Sequence, residues 1–288
     1  MKILTFFGNI SYNNAYNNIE RELINMKINK IYNEHCFLTM KNMIENKIFV
    51  DGIITSPFYG TTRKRKNQNT EEYLEKHLGR YDVYIDNMTD EEYIAFTLKL
   101  FSGYDKILKK NGCILYNMSY SSENTHLIWL TIAEIIKNTN FIIADDIIWK
   151  KKSALPNNVS SNKLTRIVEH IFVFCRKDEI KTFNCNKKVV SIRKDNGQKT
   201  YENIYNFIEA KNNDGSNKLN KATYSTELIE KLLNIYFKKG DLIYDSFMGT
   251  GTTANACVKY GCDFIGSEIS KAQCEYAEER INNTLKIE

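Results

Sequence analysis

The sequence predicts an α/β fold built on a doubly wound parallel sheet. Strand-like apolar runs alternate with helix-like segments through most of the 288 residues, which is the pattern of a parallel sheet covered by helices. A glycine-rich turn between a strand and a helix, at residues 245–253, is a second feature of this fold class. The length fits one α/β domain with insertions or two small domains.

The elements follow in order along the chain. The apolar run from Met1 to Gly8 is interpreted as a strand or an extension, because no small-residue cleavage site follows it. Apolar periodicity then predicts a strand at Ile53–Ile54, a helix from Glu91 to Leu108, a strand from Cys113 to Asn117 after a turn at Asn111–Gly112, a helix from Leu127 to Ile136, and a hairpin of Phe141–Trp149 and Ile167–Phe174 closed by a polar loop.

A change in composition from Lys177 to Asn220 indicates an insertion. Lysine, asparagine, aspartate and glycine dominate there, and only Tyr201 to Ile208 is typical of a packed element. The elements predicted after it are a helix from Thr226 to Phe237, a strand at Leu242–Tyr244, a helix from Ala254 to Tyr260 and a strand at Asp263–Gly266. We therefore divide the chain into residues 1–176, an insertion at 177–220 that is either a recognition segment or a solvated linker, and residues 221–288.

Composition restricts the class of protein. Hydrophobic residues make up 42% and charged residues 26% of the chain, as in soluble globular proteins. The sequence contains no uninterrupted run of about 18 apolar residues, the length needed to cross a membrane. The seven cysteines contain no Cys-x-x-Cys pair and the four histidines do not cluster near them. This disfavours a zinc site or a disulfide framework and favours a reducing cytoplasm. The net charge of +5 permits a polyanionic partner without requiring one.

Pro57, one of only two prolines, stands in the segment Thr55-Ser56-Pro57-Phe58-Tyr59-Gly60 at the exit of the first apolar strand. Proline fixes φ and has no N–H, so the backbone is rigid and its carbonyls can accept hydrogen bonds. A small polar residue, a proline and an aromatic ring therefore form a ledge suited to holding a flat group that carries an NH2. The alternative is an ordinary strand-to-loop turn, because Ser-Pro often begins turns.

The glycine-rich turn is Asp245-Ser246-Phe247-Met248-Gly249-Thr250-Gly251-Thr252-Thr253. Backbone N–H groups at the start of the next helix would face a bound cofactor, and Gly249 and Gly251 would permit close approach. Glu268, about 20 residues later, is placed to accept from two ribose hydroxyls. The turn lacks the GxGxxG and GK[ST] patterns, which disfavours dinucleotides and nucleoside triphosphates. A tight structural turn is the alternative.

Together, Ser-Pro-x-Tyr early in the chain and Asp-x-Phe-x-Gly-x-Gly-Thr-Thr late in it resemble the motifs of the β-class exocyclic-amino DNA methyltransferases. In that family the catalytic tetrapeptide precedes the S-adenosylmethionine motif. The resemblance therefore implies a circularly permuted, doubly wound Rossmann-like methyltransferase sheet with a small target-recognition insertion. The similarity covers most of the chain and extends to Ile31–Phe37, Asp146–Lys151, Pro156, Val159, Leu164–Arg166 and Glu169–Phe174.

Four positions depart from the family pattern. Phe58 replaces the second proline of the tetrapeptide, and Ser246 replaces the proline after the motif acid. Asn220-Lys221 stands where the family has histidine-proline before the cofactor helix. His35, beside Glu34, stands where an acid is expected near the adenine ring. These departures bear on cofactor affinity and activity.

The resemblance implies methyl transfer from S-adenosylmethionine to an exocyclic amine of a DNA base, without a metal or a covalent nucleophile. The base must be flipped out of the duplex, with Tyr59 or Phe58 stacking on its face and the other ring packed in the core. The catalytic candidates are Ser56, Pro57, Phe58 and Tyr59, because hydroxyl and carbonyl acceptors would stabilise positive charge developing on nitrogen. The candidates for cofactor binding are Thr55, His35, Ala222, Asp245, Phe247, Gly249, Gly251, Thr252 and Glu268.

The base and the DNA contacts are inferred from the same resemblance. Ser-Pro-Pro-Tyr favours the 4-amino group of cytosine and Asp-Pro-Pro-Tyr the 6-amino group of adenine, so Ser56 favours cytosine and leaves adenine as the alternative. The stretch from Lys187 to Lys199 is assigned to target recognition. The candidates for phosphate contacts, with a solvated loop as the alternative for the basic run, are Arg63, Lys64, Arg65, Lys66, Lys151, Lys152 and Arg166.

Double-stranded DNA is the expected partner, and the resemblance is compatible with a homodimer and with a cognate restriction endonuclease. Two further functions stay open. An RNA or protein amide methyltransferase would use a related Asn-Pro-Pro-Tyr ledge but normally carries the cofactor motif first. A nucleic-acid-binding module that keeps the fold without activity is motivated by Phe58 and Ser246.

Overall fold

The computed structural model describes residues 26–58, 88–119, 124–154, 156, 158, 161–183, 185–215, 219–220 and 223–286. Ten strands and six α-helices lie within these residues. The predictions made for Met1 to Gly8, Tyr59, the basic run Arg63 to Lys66, Val159 and Ala222 fall outside them.

The strands and helices are numbered in chain order. Strands β1 to β10 are Lys30–Tyr32, Val50–Thr55, Leu108–Met118, Phe141–Lys151, Val168–Arg176, Val189–Ile192, Lys199–Tyr201, Phe207–Ala210, Leu242–Asp245 and Asp263–Ser267. Helices α1 to α6 are Cys36–Glu45, Asp90–Ile107, Leu127–Asn138, Thr226–Tyr236, Thr252–Tyr260 and Lys271–Leu285. A short 3-10 helix follows β5 at Lys177–Glu179.

Eight strands form one sheet in the order β1-β10-β9-β2-β3-β5-β4-β8. Strands β1, β10, β9, β2 and β3 are parallel, β5 is antiparallel to both neighbours, and β8 pairs with β4 in parallel. The connection from β9 to β10 runs towards one edge of the sheet, and the connection from β2 to β3 runs towards the opposite edge. The strand order therefore reverses between β9 and β2. Open α/β sheets bind ligands at the carboxyl ends of the strands at such a switch point.

Helices cover both faces of this sheet. Helices α1, α2 and α3 pack on one face through buried residues such as Met43 and Phe101, and α4, α5 and α6 pack on the other through residues such as Leu233 and Ala277. The central strands are therefore buried on both faces, which is why β2 reads as a continuous apolar run at Ile53–Ile54.

Serine or threonine hydroxyls cap the start of three helices. Thr89 caps α2 by accepting from the N–H of Glu92, whose side chain accepts from the N–H of Thr89 in return, forming a capping box. Ser225 and Ser270 cap α4 and α6 through their hydroxyls. These caps fix the residues at which α2, α4 and α6 begin.

Most predicted elements are confirmed, with boundaries displaced by a few residues. The prediction of one packed element from Tyr201 to Ile208 is wrong: Tyr201 ends the exposed hairpin of β6 and β7, Tyr205 is 78% exposed, and Ile208 is buried only because β8 joins the main sheet. Tyr201, the one aromatic residue of the hairpin, is 48% exposed among the described residues. Helix α1 was not predicted from the sequence, because the polar residues Thr39 and Asn42 lie on its buried face and interrupt the apolar periodicity.

No helix among the described residues is long and apolar enough to span a membrane. They contain no group of three or more histidine, cysteine, aspartate or glutamate side chains arranged to hold a metal ion. All seven cysteines are free thiols.

Candidate active site

The ends of β2 and β9 meet at the switch point of the sheet. Thr55 is the last residue of β2 and Asp245 the last residue of β9. The Thr55 hydroxyl donates a hydrogen bond of 2.7 Å to Oδ1 of Asp245, and both side chains are buried. This contact joins the predicted ledge to the predicted cofactor turn, although the two residues are 190 positions apart.

The Asp245 carboxylate accepts four hydrogen bonds from described residues. Oδ1 accepts from Thr55 and, at 3.0 Å, from the N–H of Phe247. Oδ2 accepts from the hydroxyls of Tyr224 at 3.1 Å and Thr253 at 2.6 Å. Burial raises the pKa of Asp245 above its ordinary value, while these donors act in the opposite direction. The carboxylate is therefore a fixed acceptor that shapes the turn.

The predicted ledge follows β2 directly. Pro57 is buried and Ser56 is half-buried. The Phe58 ring packs into an aromatic cluster, with centroid distances of 5.3 Å to Phe96 and 5.9 Å to Phe247. Phe58 is therefore partly buried and packs against the core. Its ring also brings the ledge into contact with the glycine-rich turn.

The glycine-rich turn requires two residues with positive φ. Gly249 has a φ of 54° and Gly251 a φ of 79°, a region that favours glycine. A Cβ on Gly251 would lie 2.6 Å from Cβ of Ala277 in α6, so packing also excludes a side chain there. Helix α5 begins at the buried Thr252, directly after Gly251. Its N-terminus thus lies at the switch point, the arrangement in which helix N–H groups bind a cofactor.

Glu268 contacts the glycine-rich turn through its carboxylate. Oε2 accepts from the N–H of Gly249 at 2.8 Å, and Oε1 accepts from the N–H of Ser270 at 2.9 Å. Asn33 donates to the Glu268 carbonyl at 2.9 Å and holds the backbone. A carboxylate oxygen can accept more than one hydrogen bond, so these contacts are compatible with the ribose contacts that the sequence predicts.

His35 occupies the position where the resembling family has an acid. It caps α1, since its Nδ1 accepts from the N–H of Phe37 at 3.3 Å, and an accepting Nδ1 leaves the proton on Nε2. Burial, assisted by the positive charge of Lys99, lowers the pKa of His35, so its imidazole is neutral at pH 7. The ring lies 6.3 Å from Phe96 and borders the same aromatic cluster as Phe58.

Two of the predicted DNA contacts are paired with acids. Lys151 lies 2.5 Å from Glu169, and Lys152 lies 2.9 Å from Glu227. Both lysines therefore bind within the fold, and a phosphate would compete with these carboxylates. Arg166 is half-buried. The assignment of the three residues to DNA stays a prediction.

Sequence reasoning missed several hydroxyl groups at the junction. Ser246 Oγ is hydrogen-bonded to Tyr104 OH and lies 3.3 Å from Thr55 Oγ1. Thr253 could have been inferred from its place in the glycine-rich turn. Nothing in the sequence around Tyr104 or Tyr224 distinguishes them from other buried tyrosines, because their roles depend on elements distant in the chain.

Comparison with known proteins agrees with this geometry. Residues 50–279 match a family described as DNA methylase, which comprises N6- and N4-methyltransferases. The orphan methyltransferase M.BamHII of Bacillus amyloliquefaciens is 28% identical over 178 residues, which are 52% of this chain and 66% of that protein. The type II methyltransferase M.HinfI of Haemophilus influenzae is 24% identical over 270 residues, which are 91% of this chain and 70% of that protein.

Solved structures share the fold. The M1.HpyAVI–SAM complex gives a TM-score of 0.58 at 22% identity and covers 88% of this chain and 99% of that chain. The cytosine-N4-specific PvuII DNA methyltransferase gives a TM-score of 0.59 at 16% identity, with 89% and 90% covered. These likenesses and the strand order confirm the predicted fold class. Because the family match includes both the ledge and the glycine-rich turn, the chain belongs to the DNA methylase family of N6- and N4-methyltransferases.

Proposed function

We propose that this protein methylates DNA, moving a methyl group from S-adenosylmethionine to the 4-amino group of a flipped cytosine. The observation that carries the proposal is the 2.7 Å hydrogen bond between Thr55 and Asp245. Through it the Ser56–Pro57 ledge adjoins the glycine-rich turn, and methyl transfer requires that amine and cofactor share one crevice. The site fits the cofactor because it offers a helix N-terminus, a glycine-lined approach and a nearby carboxylate.

The ledge supplies the chemistry of the amine. Ser56 Oγ and the Pro57 carbonyl accept hydrogen bonds from its two N–H groups, which favours a pyramidal nitrogen and directs the lone pair away from the ring. The same acceptors stabilise the positive charge that develops on nitrogen. Bound S-adenosylmethionine would supply the methyl group, its S–CH3 bond breaking with the electron pair left on sulfur as the N–CH3 bond forms, and the nitrogen would release one proton to water. Alignment of the two reactants supplies much of the remaining acceleration.

The roles proposed for the cofactor-binding residues are compatible with their contacts around the crevice. Glu268 accepts from the ribose hydroxyls, and Gly249 and Gly251 let the backbone approach the cofactor. His35 presents a neutral Nε2–H to the adenine ring, where an acid would accept from the amino group. Its donor therefore suits a ring nitrogen of the purine.

Cytosine is proposed because Ser56 occupies the first position of the tetrapeptide. The PvuII enzyme of similar fold is cytosine-N4-specific, which is compatible with this choice, and adenine N6 is the alternative. Phe58 packs against the core, which supports the proposal that Tyr59 stacks on the base.

The segment 177–220 is proposed for target recognition. Its hairpin of β6 and β7 carries exposed apolar side chains, with Val190 62% and Ile192 59% exposed, and Tyr205 beyond it is 78% exposed. Clusters of exposed apolar residues mark interaction surfaces. The lysines between Lys187 and Lys199 add the positive charge that a phosphate backbone attracts.

A binding module without activity is the second candidate, and Phe58 and Ser246 motivate it. The relatives M.BamHII and M.HinfI are both methyltransferases by name, which speaks against this candidate. An RNA or protein methyltransferase is disfavoured by the match to a DNA methylase family.

The deciding experiment combines binding and product analysis. Mixed-sequence duplex DNA is incubated with protein and S-adenosylmethionine labelled in its methyl group, digested to nucleosides and examined by mass spectrometry. We expect label in N4-methylcytosine. Label only in N6-methyladenine would overturn the base assignment. No label, together with no calorimetric binding at millimolar cofactor, would support the inactive module.

A further inference from the structure

A chain of buried hydroxyl groups links the ledge, the cofactor turn and helix α2. Tyr104 OH is hydrogen-bonded to Ser246 Oγ, Ser246 Oγ lies 3.3 Å from Thr55 Oγ1, and Thr55 Oγ1 donates to Asp245. Tyr104 and Thr55 are 0% exposed, Asp245 is 1% and Ser246 is 2% exposed. These hydrogen bonds are therefore shielded from water.

The direction of the chain follows from the protons available. Thr55 gives its only hydroxyl proton to Asp245, so it accepts from Ser246. Ser246 has then used its own proton and accepts from Tyr104. Burial raises the pKa of Tyr104, so this first donor keeps its proton. Every hydroxyl thus points towards the Asp245 carboxylate, and successive bonds of this kind polarise one another.

Backbone pairing does not hold the ledge against the cofactor turn. The last paired residues of β2 and β9 are Ile53 and Tyr244, so the pairing ends before Thr55. On its other side, β2 stays paired with β3 as far as Thr55 and Tyr116. The ledge is fixed towards β3 by the backbone, but towards the cofactor turn by side chains.

We propose that Tyr104 and Ser246 are positioning residues for methyl transfer. Acting through Thr55, they set the separation between the ledge and the cofactor turn, and hence between the amine and the methyl donor. The inference rests on the proposed function. The resembling family has proline in place of Ser246, and a proline side chain has neither donor nor acceptor. In this protein, the hydrogen bonds of Ser246 supply the rigidity that a proline ring would give.

Loss of the hydrogen bonds between these hydroxyl groups should lower the methyl-transfer rate more than it weakens cofactor binding. A misplacement of about 1 Å can lower a rate by about 100-fold. We therefore expect Ser246→Ala and Tyr104→Phe each to lower the single-turnover methyl-transfer rate by about tenfold or more, at saturating cofactor and DNA. The cofactor Kd should change by less than about threefold. Both changes remove the hydrogen bond between Tyr104 and Ser246, and Ser246→Ala also removes the one between Ser246 and Thr55. The double variant should therefore be no slower than the slower single variant.

Tyr244→Phe is the matched control. Tyr244 is also a buried tyrosine, and its hydroxyl bonds to Ser267 at 2.7 Å and to the Cys36 carbonyl at 3.3 Å, outside the chain that ends on Asp245. Its loss should lower the Tm as much as Tyr104→Phe does, while the saturated rate stays within about twofold of wild type.

Five outcomes are distinguishable. Slow Ser246→Ala and Tyr104→Phe variants, non-additive and with wild-type cofactor affinity, support the proposal. Wild-type rates in both overturn it and leave the proposed function intact, as does a loss confined to cofactor affinity. Multiplicative losses in the double variant would mean separate roles and also overturn it. No methyl transfer by the wild-type protein overturns the proposed function and this inference together. Tyr104→Phe keeps the ring, and thermal unfolding verifies that it folds.

Discussion

Replacing Gly251 with alanine tests the geometry of the cofactor turn. The φ of 79° at this position costs a residue with a Cβ about 1–2 kcal/mol. The new Cβ would lie 2.6 Å from Cβ and 3.1 Å from Cα of Ala277, and relieving such overpacking costs about 1–3 kcal/mol. We therefore expect Gly251→Ala to lower the free energy of unfolding by about 2–5 kcal/mol.

Two companion variants separate the backbone and packing contributions. Gly197 has a similar φ of 68°, and no atom lies within 4 Å of the position of its Cβ. Gly197→Ala should therefore show only the backbone cost of about 1–2 kcal/mol. Adding Ala277→Gly to Gly251→Ala removes the closest clash, so the double variant should recover part of the loss, reduced by about 1 kcal/mol for a helical glycine.

The assay is urea unfolding of each variant, with linear extrapolation to water. An equal cost for Gly251→Ala and Gly197→Ala would refute the close approach of α5 and α6. So would strict additivity of Gly251→Ala and Ala277→Gly, because residues in contact are coupled.

Three further predictions concern the site and its support. Ser56→Ala should lower the saturated methyl-transfer rate by about 100-fold, measured by labelled-methyl incorporation, without lowering the cofactor affinity, measured by calorimetry. An unchanged rate would contradict the role of Ser56. Glu268→Gln turns one acceptor into a donor that faces an N–H of Gly249 or Ser270, so calorimetry should show cofactor affinity lower by about tenfold. Hydrogen bonding to Lys152, ahead of Lys231 and the Lys211 N–H, lowers the pKa of Glu227 from 4.5 to about 2. Its stabilisation is therefore complete above pH 4.5 and lost as the pH falls towards 2. Urea unfolding should show Glu227→Gln less stable than wild type at neutral pH, with the difference shrinking below pH 4.5 and vanishing only below pH 2.

The local parts of the site could be predicted from the sequence. Rigid Ser56–Pro57 after an apolar run, and glycines between a strand and a helix, are features of contiguous residues. The positive φ of Gly249 and Gly251 follows from the same local pattern. In the structure the hydrogen bond from Thr55 to Asp245 brings these two segments together.

The long-range parts could not be predicted in this way. Tyr104 reaches Ser246 only because α2 packs beside the junction of β2 and β9. Lys151 and Lys152 read as DNA contacts because positive charge near a ledge suggests phosphate, whereas their carboxylate partners come from other strands and helices. Side-chain partners of this kind depend on strand order and register, which the sequence pattern does not state.

The strand order also dictates when the site can form during synthesis. Strands β9 and β10 lie between β1 and β2, although they are the last two strands of the described chain. Until residues 242–267 have been synthesised, the places of β9 and β10 are empty, and β1 and β2 stand three strand spacings apart in the sheet, about 14 Å. The edge of β2 that later pairs with β9 is then open to incorrect pairing. The ledge is therefore synthesised early, but the site to which it belongs is complete only after β9 and β10 have formed. A nascent chain halted before β9 would carry the amine-holding half of the site with nothing to hold the methyl donor.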